Sequence, residues 1–300
     1  MPCRQIMFMA MTHKIYIILF IGLLGVSFGA PLARFLPELA ALTIAFWRMA
    51  GASAVLWSHG LIQNQEPLER RKVLAIIVAG IFLGFHFALF YTAVKLTPIA
   101  NATLFATMAP LFTLIYERFI QKQKLAFGAM IGLWMAIIGA IIIQGAAFEW
   151  GADETTGNLY ALASSAFMSI VLLIGQRVRT EISNILYTRW LYLFAALTLI
   201  LIIVSLEIEI RFQSDDAIWL LGLVILPTLI GHNSMNYAVK YLRPTIVGSM
   251  PFGEPILASI LAWLFFGEVV GLNVIVGGTI TLSGLILLTL KRGKSIVQDF

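Results

Sequence analysis

The stretch YTAVKLTPIANATLFATMAPLFTLIYERFI (residues 91–120) recurs in outline as NYAVKYLRPTIVGSMPFGEPILASILAWLFFGE (residues 236–268). At one offset of 145 residues, the matched positions are 93–95 with 238–240, Pro110 with Pro255, Gly132 with Gly277 and Gly139 with Gly284. A single shift that explains all of these matches indicates an internal repeat, and a repeat determines how the rest of the chain is divided.

Composition places the chain in a membrane. Its 300 residues are 60% hydrophobic and only 12% charged, with a mean hydropathy of +0.93, whereas soluble domains are about 25% charged. The net charge of +5 and the pI of about 9.4 indicate basic cytoplasmic loops rather than a nucleic-acid-binding protein. Cys3 is the only cysteine, which excludes intrachain disulfides and cysteine metal clusters. We expect neither a cofactor nor a metal.

A helix that crosses a bilayer needs about 20 apolar residues, and the chain contains ten such candidate spans. They cover approximately 15–35, 39–60, 73–95, 98–119, 125–147, 157–177, 183–206, 216–239, 244–266 and 269–290. This division predicts a short cytoplasmic N-terminus (1–14), a first repeat (15–147), a second repeat (157–290) and a cytoplasmic C-terminal tail (291–300). A cleaved signal peptide is the alternative for the first span, but Pro31 and the many later spans disfavour it.

Lysine and arginine residues orient the spans. With a cytoplasmic N-terminus, 15 of the 20 basic residues lie inside, and Arg34, Lys95 and Arg211 lie outside. This asymmetry predicts a multi-pass protein of the inner (plasma) membrane with both termini in the cytoplasm. Because each repeat has five spans, an odd number, the repeats insert with opposite orientation. The predicted fold class is an all-α integral membrane protein with ten transmembrane helices in two inverted five-helix repeats, an architecture common in secondary transporters.

A carboxylate lies near the middle of the ninth span. Glu254 follows Pro244 by ten residues, about 15 Å along a helix, and a charge at this depth costs roughly 2.5 kcal/mol or more on insertion scales. Glu254 is therefore the candidate for proton coupling or for binding a substrate amine, with Arg48 as its candidate ionic partner. The alternative is a structural acceptor beside Pro255, which breaks its helix as Pro110 breaks the matching helix of the first repeat.

Two arginines lie on corresponding helices of the repeats. Arg48 is on the second span and Arg189 on the seventh, each next to a tryptophan. The planar guanidinium group matches a carboxylate, so both are candidates for substrate binding. Arg189 lies close to the start of its helix, and snorkelling of its side chain to the membrane interface is the alternative.

The third and eighth spans carry matching polar residues. On the eighth span Thr228, His232, Asn236 and Lys240 recur every four residues, which places them on nearly one face of a regular helix. The further candidates for substrate binding are His86, Tyr91, His232, Asn233, Asn236 and Tyr237. Either histidine is also a candidate proton carrier, because imidazole titrates near neutral pH. A hydrogen-bonded packing role is the alternative for both.

These stretches resemble those of the drug/metabolite transporter superfamily, specifically of the EamA type, over essentially the full length. The matching residues are Glu254-Pro255, Gly267-Glu268 and AFWRMAGA (45–52), in addition to the two long stretches quoted above. The first repeat departs from the pattern, since Ala109 precedes Pro110 where an acid is often found. The resemblance implies ten helices in two halves and the export or exchange of small metabolites, with amino acids frequent among the substrates.

The predicted function is a secondary transporter that moves a small metabolite, an amino acid or related compound, by alternating access, with export or exchange as its direction. The alternatives are an importer or exchanger of an environmental or host metabolite, and a channel or membrane partner subunit. We expect no enzyme, since the four histidines form no acid–base or metal cluster, and no phosphate-loop motif for ATP occurs. The expected partners are a small-molecule substrate, the lipid bilayer and protons as coupling ion, without nucleic acid, in a monomer or weak homodimer.

Overall fold

The computed structural model describes residues 2–60, 68–122, 126–144, 152–269 and 271–290. These residues form helices and no strand. In chain order the helices are α1 (Pro2–Val26), α2 (Gly29–Arg34), α3 (Ala41–Gly60), α4 (Arg70–Leu96), α5 (Ile99–Ala106), α6 (Ala109–Ile115), α7 (Phe127–Gln144), α8 (Asp153–Arg179), α9 (Asn184–Ser205), α10 (Ala217–Leu223), α11 (Asn233–Ala238), α12 (Pro244–Ser249), α13 (Glu254–Phe266) and α14 (Leu272–Leu290). The predicted tail (291–300) and parts of the fifth predicted span (125–147) lie outside the described residues.

Seven segments of the described chain are long and apolar enough to cross a membrane. They are His13–Arg34, Arg70–Leu96, Ile99–Ile120, Asp153–Arg179, Asn184–Ser205, Ser214–Ala238 and Pro244–Phe266. Two shorter apolar helices, Phe127–Ile142 and Ile275–Gly284, together with α3, lie at the three remaining predicted spans. The predicted class, an all-helical multi-pass membrane protein, is confirmed.

Four of the predicted spans are not continuous α-helices. The interruptions are Ser27–Phe28 before Pro31, Thr107–Met108 before Pro110, the 3-10 turn Met250–Gly253 before Pro255, and the π-helical turns Val224–His232 around Pro227. Proline has no N–H to donate and its ring clashes with the preceding turn, whereas the first turn of a helix accepts it. Pro110 and Pro255 are accordingly the second residues of α6 and α13.

The last helices of the two repeats, α7 and α14, pack closely against each other. A Cβ atom added to Gly139 would lie 2.4 Å from the Gly277 carbonyl oxygen, and one added to Gly284 would lie 2.5 Å from the Gly132 carbonyl oxygen. Adding 145 to Gly132 and Gly139 gives Gly277 and Gly284, so the repeat converts the first of these contacts into the second. The packing therefore has the symmetry that the repeat implies, and glycine lets the two backbones approach this closely.

The fourth and ninth spans cross the centre of the molecule in antiparallel directions. Helix α5 packs against α13, and α6 packs against α12, so the first half of one span lies beside the second half of the other. Both spans are interrupted near their middle, where irregular backbone is tolerated only next to protein or water. The crossing positions Glu254, the first residue of α13, at a central cavity.

We expect Gly284→Ala to destabilise the protein by about 1–3 kcal/mol. The new methyl group would meet the Gly132 carbonyl oxygen at 2.5 Å and the Ala136 nitrogen at 2.8 Å, and these backbone atoms cannot rotate away. Gly278→Ala on the same helix is the matched control, because its methyl group would meet Ile256 side-chain atoms at ordinary distances of 3.4 and 3.6 Å. Thermal unfolding of the purified variants measures the difference. Equal melting temperatures would contradict the close crossing of α7 and α14.

Candidate functional site

A small cavity lies between the two repeats and is lined by residues of both. The space open to the centres of water molecules is about 40 Å³, which is room for about two or three waters. Its polar lining consists of Arg48, His86, Thr107, His232 and Glu254. Its apolar lining includes Phe87, Phe90, Met168, Leu172 and Met235. Pockets in which a few polar groups converge on an apolar wall are typical ligand sites.

Arg48 on α3 is held in one orientation. Its Nε donates a hydrogen bond to Thr228 Oγ1 at 2.7 Å, and its Nη1 donates to the Tyr91 hydroxyl at 2.7 Å. The guanidinium carbon lies 4.3 Å from the centroid of the Phe87 ring. The residue is 1% exposed, and its Nη2 has no hydrogen-bond partner among the described residues. A buried cation with an unused donor is suited to an anionic acceptor such as a carboxylate.

The helix that faces Arg48 has a widened turn. Residues Val224–His232 form π-helical turns, with Pro227 inside them. The Thr228 hydroxyl donates to the Leu223 carbonyl oxygen at 2.9 Å, five residues earlier, and accepts from Arg48. π-helical turns occur frequently at functional sites, and this one turns a threonine toward the guanidinium group. The sequence contains the signal for it, a proline in mid-span, but does not specify how the helix adapts.

Two histidines from corresponding helices meet at the cavity. The ring centroids of His86 and His232 are 6.1 Å apart. The Nδ1 of His86 lies 2.9 Å from the Ser164 carbonyl oxygen; since a carbonyl only accepts, this nitrogen carries the hydrogen. The Nδ1 of His232 has no hydrogen-bond partner among the described residues. No group of three or more histidine, cysteine, aspartate or glutamate side chains suited to a metal ion occurs in the described part of the chain.

Glu254 is 8% exposed and lines the same cavity as Arg48. The direct ion pair expected from the sequence is not formed: within the described ranges, the salt bridges of 4.0 Å or less join other residues. The guanidinium and the carboxylate are therefore separate parts of the lining. An arginine and an acid that share a cavity without direct contact suit a ligand that carries both a carboxylate and an amino group.

Arg189 does not belong to the described lining of the cavity. Its guanidinium carbon lies 4.3 Å from the Trp57 ring centroid, and its backbone carbonyl accepts a hydrogen bond from Ser53 at 3.1 Å. Trp57 in turn packs edge-on against Trp190, with centroids 4.8 Å apart. The side chain thus joins α3 to α9 through a cation–π contact, and its role in substrate binding stays a prediction.

Three predicted residues of the eighth span also lie outside the described lining. Their contacts are Asn184 Nδ2 to Asn233 Oδ1 at 2.9 Å, Arg179 Nε to the Asn236 carbonyl at 3.0 Å, and Tyr237 to Tyr241 with ring centroids 5.3 Å apart. A four-residue spacing gives one face only in a regular helix. The π-helical turns change this register between Thr228 and Asn236, and substrate contact by these three residues stays a prediction.

Glu117 is a buried acid that the sequence analysis did not single out. It is 1% exposed, and its Oε1 accepts a hydrogen bond from the backbone nitrogen of Thr245 at 3.2 Å. Thr113 Oγ1 donates to Thr245 Oγ1 at 3.1 Å. A carboxylate at the first turn of α12 stabilises the unsatisfied N–H groups there, so Glu117 ties the fourth span to the ninth.

Comparison with known proteins decides the family. A model of the EamA-like transporter family matches residues 13–145 and again residues 155–290. The chain belongs to the EamA-like transporter family. This EamA-like transporter is 27% identical to the uncharacterized transporter YdfC of Bacillus subtilis (strain 168), over 92% of this chain and 90% of the relative. The family and its relatives are transporters rather than enzymes, as predicted.

Further relatives of the EamA-like transporter extend the comparison. It is 24% identical to the aromatic amino acid exporter YddG of Ancylobacter novellus, over 73% of this chain and 77% of the relative. It is 25% identical to solute carrier family 35 member G1 of Mus musculus, over 65% of this chain and 56% of the relative. A crystal structure of a protein with 20% sequence identity has the same fold, with a TM-score of 0.74 over 94% of this chain and 99% of the other.

Proposed function

We propose that this EamA-like transporter is a secondary carrier that exports or exchanges an amino acid with an apolar or aromatic side chain. The observation that carries the proposal is the central cavity, where Arg48 has an unused buried donor and Glu254 contributes a carboxylate. The name of one relative, an aromatic amino acid exporter, supports the same substrate class.

A zwitterion matches the two charges of the cavity. Its α-carboxylate binds Nη2 of Arg48, because a charge-assisted hydrogen bond forms best to a donor that is fixed and otherwise unpartnered. Its α-ammonium group binds Glu254, with His232 Nδ1 as a neighbouring polar group. The apolar wall, which includes Phe87 and Phe90, receives the side chain.

Transport requires the cavity to enlarge. Its volume of about 40 Å³ open to water centres is too small for an aromatic amino acid, so the conformation described here is a closed one. The interruptions near Pro110 and Pro255 are the places where the crossing spans bend. Because the repeats are inverted, each takes the other's conformation when the cavity opens to the opposite side, which is the usual basis of alternating access. Saturable counterflow in proteoliposomes distinguishes this carrier from a channel.

The membrane arrangement follows the charge count. We propose that both termini lie in the cytoplasm, that residues 15–147 and 157–290 form the two inverted halves, and that the protein acts in the inner membrane as a monomer or weak homodimer. Glu254 is the proposed proton site, since a carboxylate at the cavity binds either a proton or the substrate ammonium group, and this competition couples the two.

Ligand binding by purified protein tests the proposal. L-Phenylalanine at 100 times its dissociation constant is expected to stabilise the protein by about 2.7 kcal/mol. L-Phenylalaninamide lacks the carboxylate and 3-phenylpropionate lacks the ammonium group, so each is expected to bind at least about tenfold more weakly. Thermal unfolding over a concentration series of the three compounds measures this order. Equal affinity for all three, or no stabilisation by L-phenylalanine, would contradict recognition of a zwitterionic aromatic substrate.

A further inference from the structure

A second cavity lies beyond Tyr91, at the end of α4 that the charge count assigns to the outside. Its space open to water centres is about 210 Å³, and its polar lining is Arg34, Tyr91 and Lys95; we call it the outer vestibule. Phe90 lines the central cavity and Lys95 the outer vestibule, a separation of five residues or about 7.5 Å along the helix. Tyr91 lines the vestibule while its hydroxyl accepts a hydrogen bond from Arg48 of the central cavity, so this side chain connects the linings of the two cavities.

Arg34, at the end of α2, has a hydrogen-bond donor without a partner among the described residues. Its Nη2 lies 3.2 Å from the Val94 carbonyl oxygen and 3.3 Å from the Thr97 carbonyl oxygen. Its Nη1 lies 3.6 Å from Glu268 Oε1, longer than a charge-assisted hydrogen bond. Its Nε is buried and has no hydrogen-bond partner among the described residues. Neutral carbonyl groups orient this guanidinium without cancelling its charge.

Lys95 is held in the same way. Its Nζ donates to the Leu36 and Pro37 carbonyl oxygens at 3.0 and 2.8 Å. The ion pairs formed in the described part of the chain do not include it. The outer vestibule thus holds two cations, with the Glu268 carboxylate 3.6 Å from Arg34 and the Glu38 carboxylate within electrostatic range of Lys95. Cationic side chains that line a concave site attract anions.

We propose that Arg34 and Lys95 form an outer subsite for the carboxylate group of the transported molecule. This inference rests on the proposed function and adds a second binding site to it. During export the substrate carboxylate leaves Arg48, passes Tyr91 and binds Arg34 and Lys95 before release. During exchange transport, an amino acid that arrives from outside binds first at Arg34 and Lys95. The ligand class is a carboxylate carried on a small amino acid.

The same arginine also links the two repeats on this side. The Arg34–Glu268 pair joins α2 of the first repeat to the end of α13 in the second. Next to it, Phe35 stacks on Trp219 with centroids 4.1 Å apart and packs against Phe266 at 4.8 Å. A ligand carboxylate that reaches the outer vestibule competes with Glu268 for Arg34. Its arrival therefore weakens this contact between the two repeats.

Exchange measured from the outside tests the subsite. Cells loaded with labelled L-phenylalanine are exposed to increasing external L-phenylalanine, and the external concentration for half-maximal exchange is recorded. Arg34→Gln and Lys95→Gln are each expected to raise this concentration about fivefold or more. Glu268→Gln is expected to lower it, because the variant removes the competing carboxylate and leaves both cations. If Arg34 only joined the two repeats through Glu268, Arg34→Gln and Glu268→Gln would break the same pair and shift the value in the same direction, which would overturn the proposal.

Two comparisons separate this inference from the proposed function. Arg211→Gln removes another predicted extracellular arginine, one that pairs with Glu209 and is exposed, and it is expected to leave the half-maximal concentration unchanged. If the wild-type protein exchanges no L-phenylalanine, the proposed function fails and the outer subsite fails with it. If Arg48→Gln abolishes binding while Arg34→Gln and Lys95→Gln leave the external concentration unchanged, only the outer subsite is wrong.

Discussion

Arg48→Gln is expected to lower the affinity for L-phenylalanine about 100-fold or more. Arg48 is 1% exposed, is fixed by Thr228 and Tyr91, and has an Nη2 atom without a hydrogen-bond partner among the described residues. Losing a buried, charge-assisted contact to a carboxylate costs about 3 kcal/mol, which corresponds to this factor. Glutamine keeps an amide donor but has no charge and does not reach as far. Titration of purified protein with L-phenylalanine measures the change, and exchange in proteoliposomes should fall in parallel.

A ligand comparison separates recognition from a general structural effect. Wild-type protein is expected to prefer L-phenylalanine over L-phenylalaninamide, whereas Arg48→Gln is expected to bind both with similar, low affinity. If the variant only disturbed the fold, both ligands would weaken by the same factor and the preference would persist. Arg48→Lys keeps the charge but not the planar fork, so an affinity between those of wild type and Arg48→Gln is expected. Retention of the full preference for the acid in Arg48→Gln would exclude Arg48 as the carboxylate site.

Glu254→Gln is expected to abolish substrate movement driven by a pH gradient while leaving exchange at equal pH partly intact. The carboxylate lines the cavity and is 8% exposed, so the proton and the substrate ammonium group reach the same group. Glutamine cannot bind a proton in this pH range, but its carbonyl oxygen still accepts a hydrogen bond from an ammonium group. Proteoliposomes loaded with labelled L-phenylalanine, with and without an imposed pH gradient, measure the two activities separately.

The matched control for Glu254 is Glu209→Gln. Glu209 is an exposed acid that pairs with Arg211 at the surface, and such pairs contribute little to stability. This variant is expected to retain both pH-driven movement and exchange. If pH-driven movement persists in Glu254→Gln, then Glu254 is a structural acceptor at the start of α13 rather than the proton site. If the gradient drives no movement in the wild-type protein, proton coupling itself is excluded.

The sequence identified several residues of the candidate site because polar groups in an apolar span are costly. Arg48, His86, His232 and Glu254 are rare polar residues in the middle of such spans, and the structure brings them to one cavity. A side chain that expensive to bury is retained only where it has a partner or a ligand. The same argument about cost singled out both histidines, which lie on corresponding helices of the two repeats.

Residues near the ends of spans gave no such signal. The sequence analysis used Arg34 and Lys95 only as basic residues of the outer side and Glu268 only as a match to the family, because charges at span ends cost little. Their proposed role arises only from the way α2, α4 and the end of α13 meet. Asn236 illustrates the opposite case: its spacing matched Thr228 and His232, but it lies outside the described lining of the cavity.

The sequence by itself determined the membrane setting and the two-repeat architecture, since hydropathy and a 145-residue offset depend on residue type and order alone. The tertiary structure decided which polar groups share a cavity, that Arg48 and Glu254 do not pair, and how closely Gly139 and Gly284 let α7 and α14 cross. The physical reason is that the free energy of placing a residue in a bilayer depends on its type, and these free energies sum along the sequence. Pairing, by contrast, depends on distances of a few ångströms between groups more than a hundred residues apart, and on how each helix bends at its prolines.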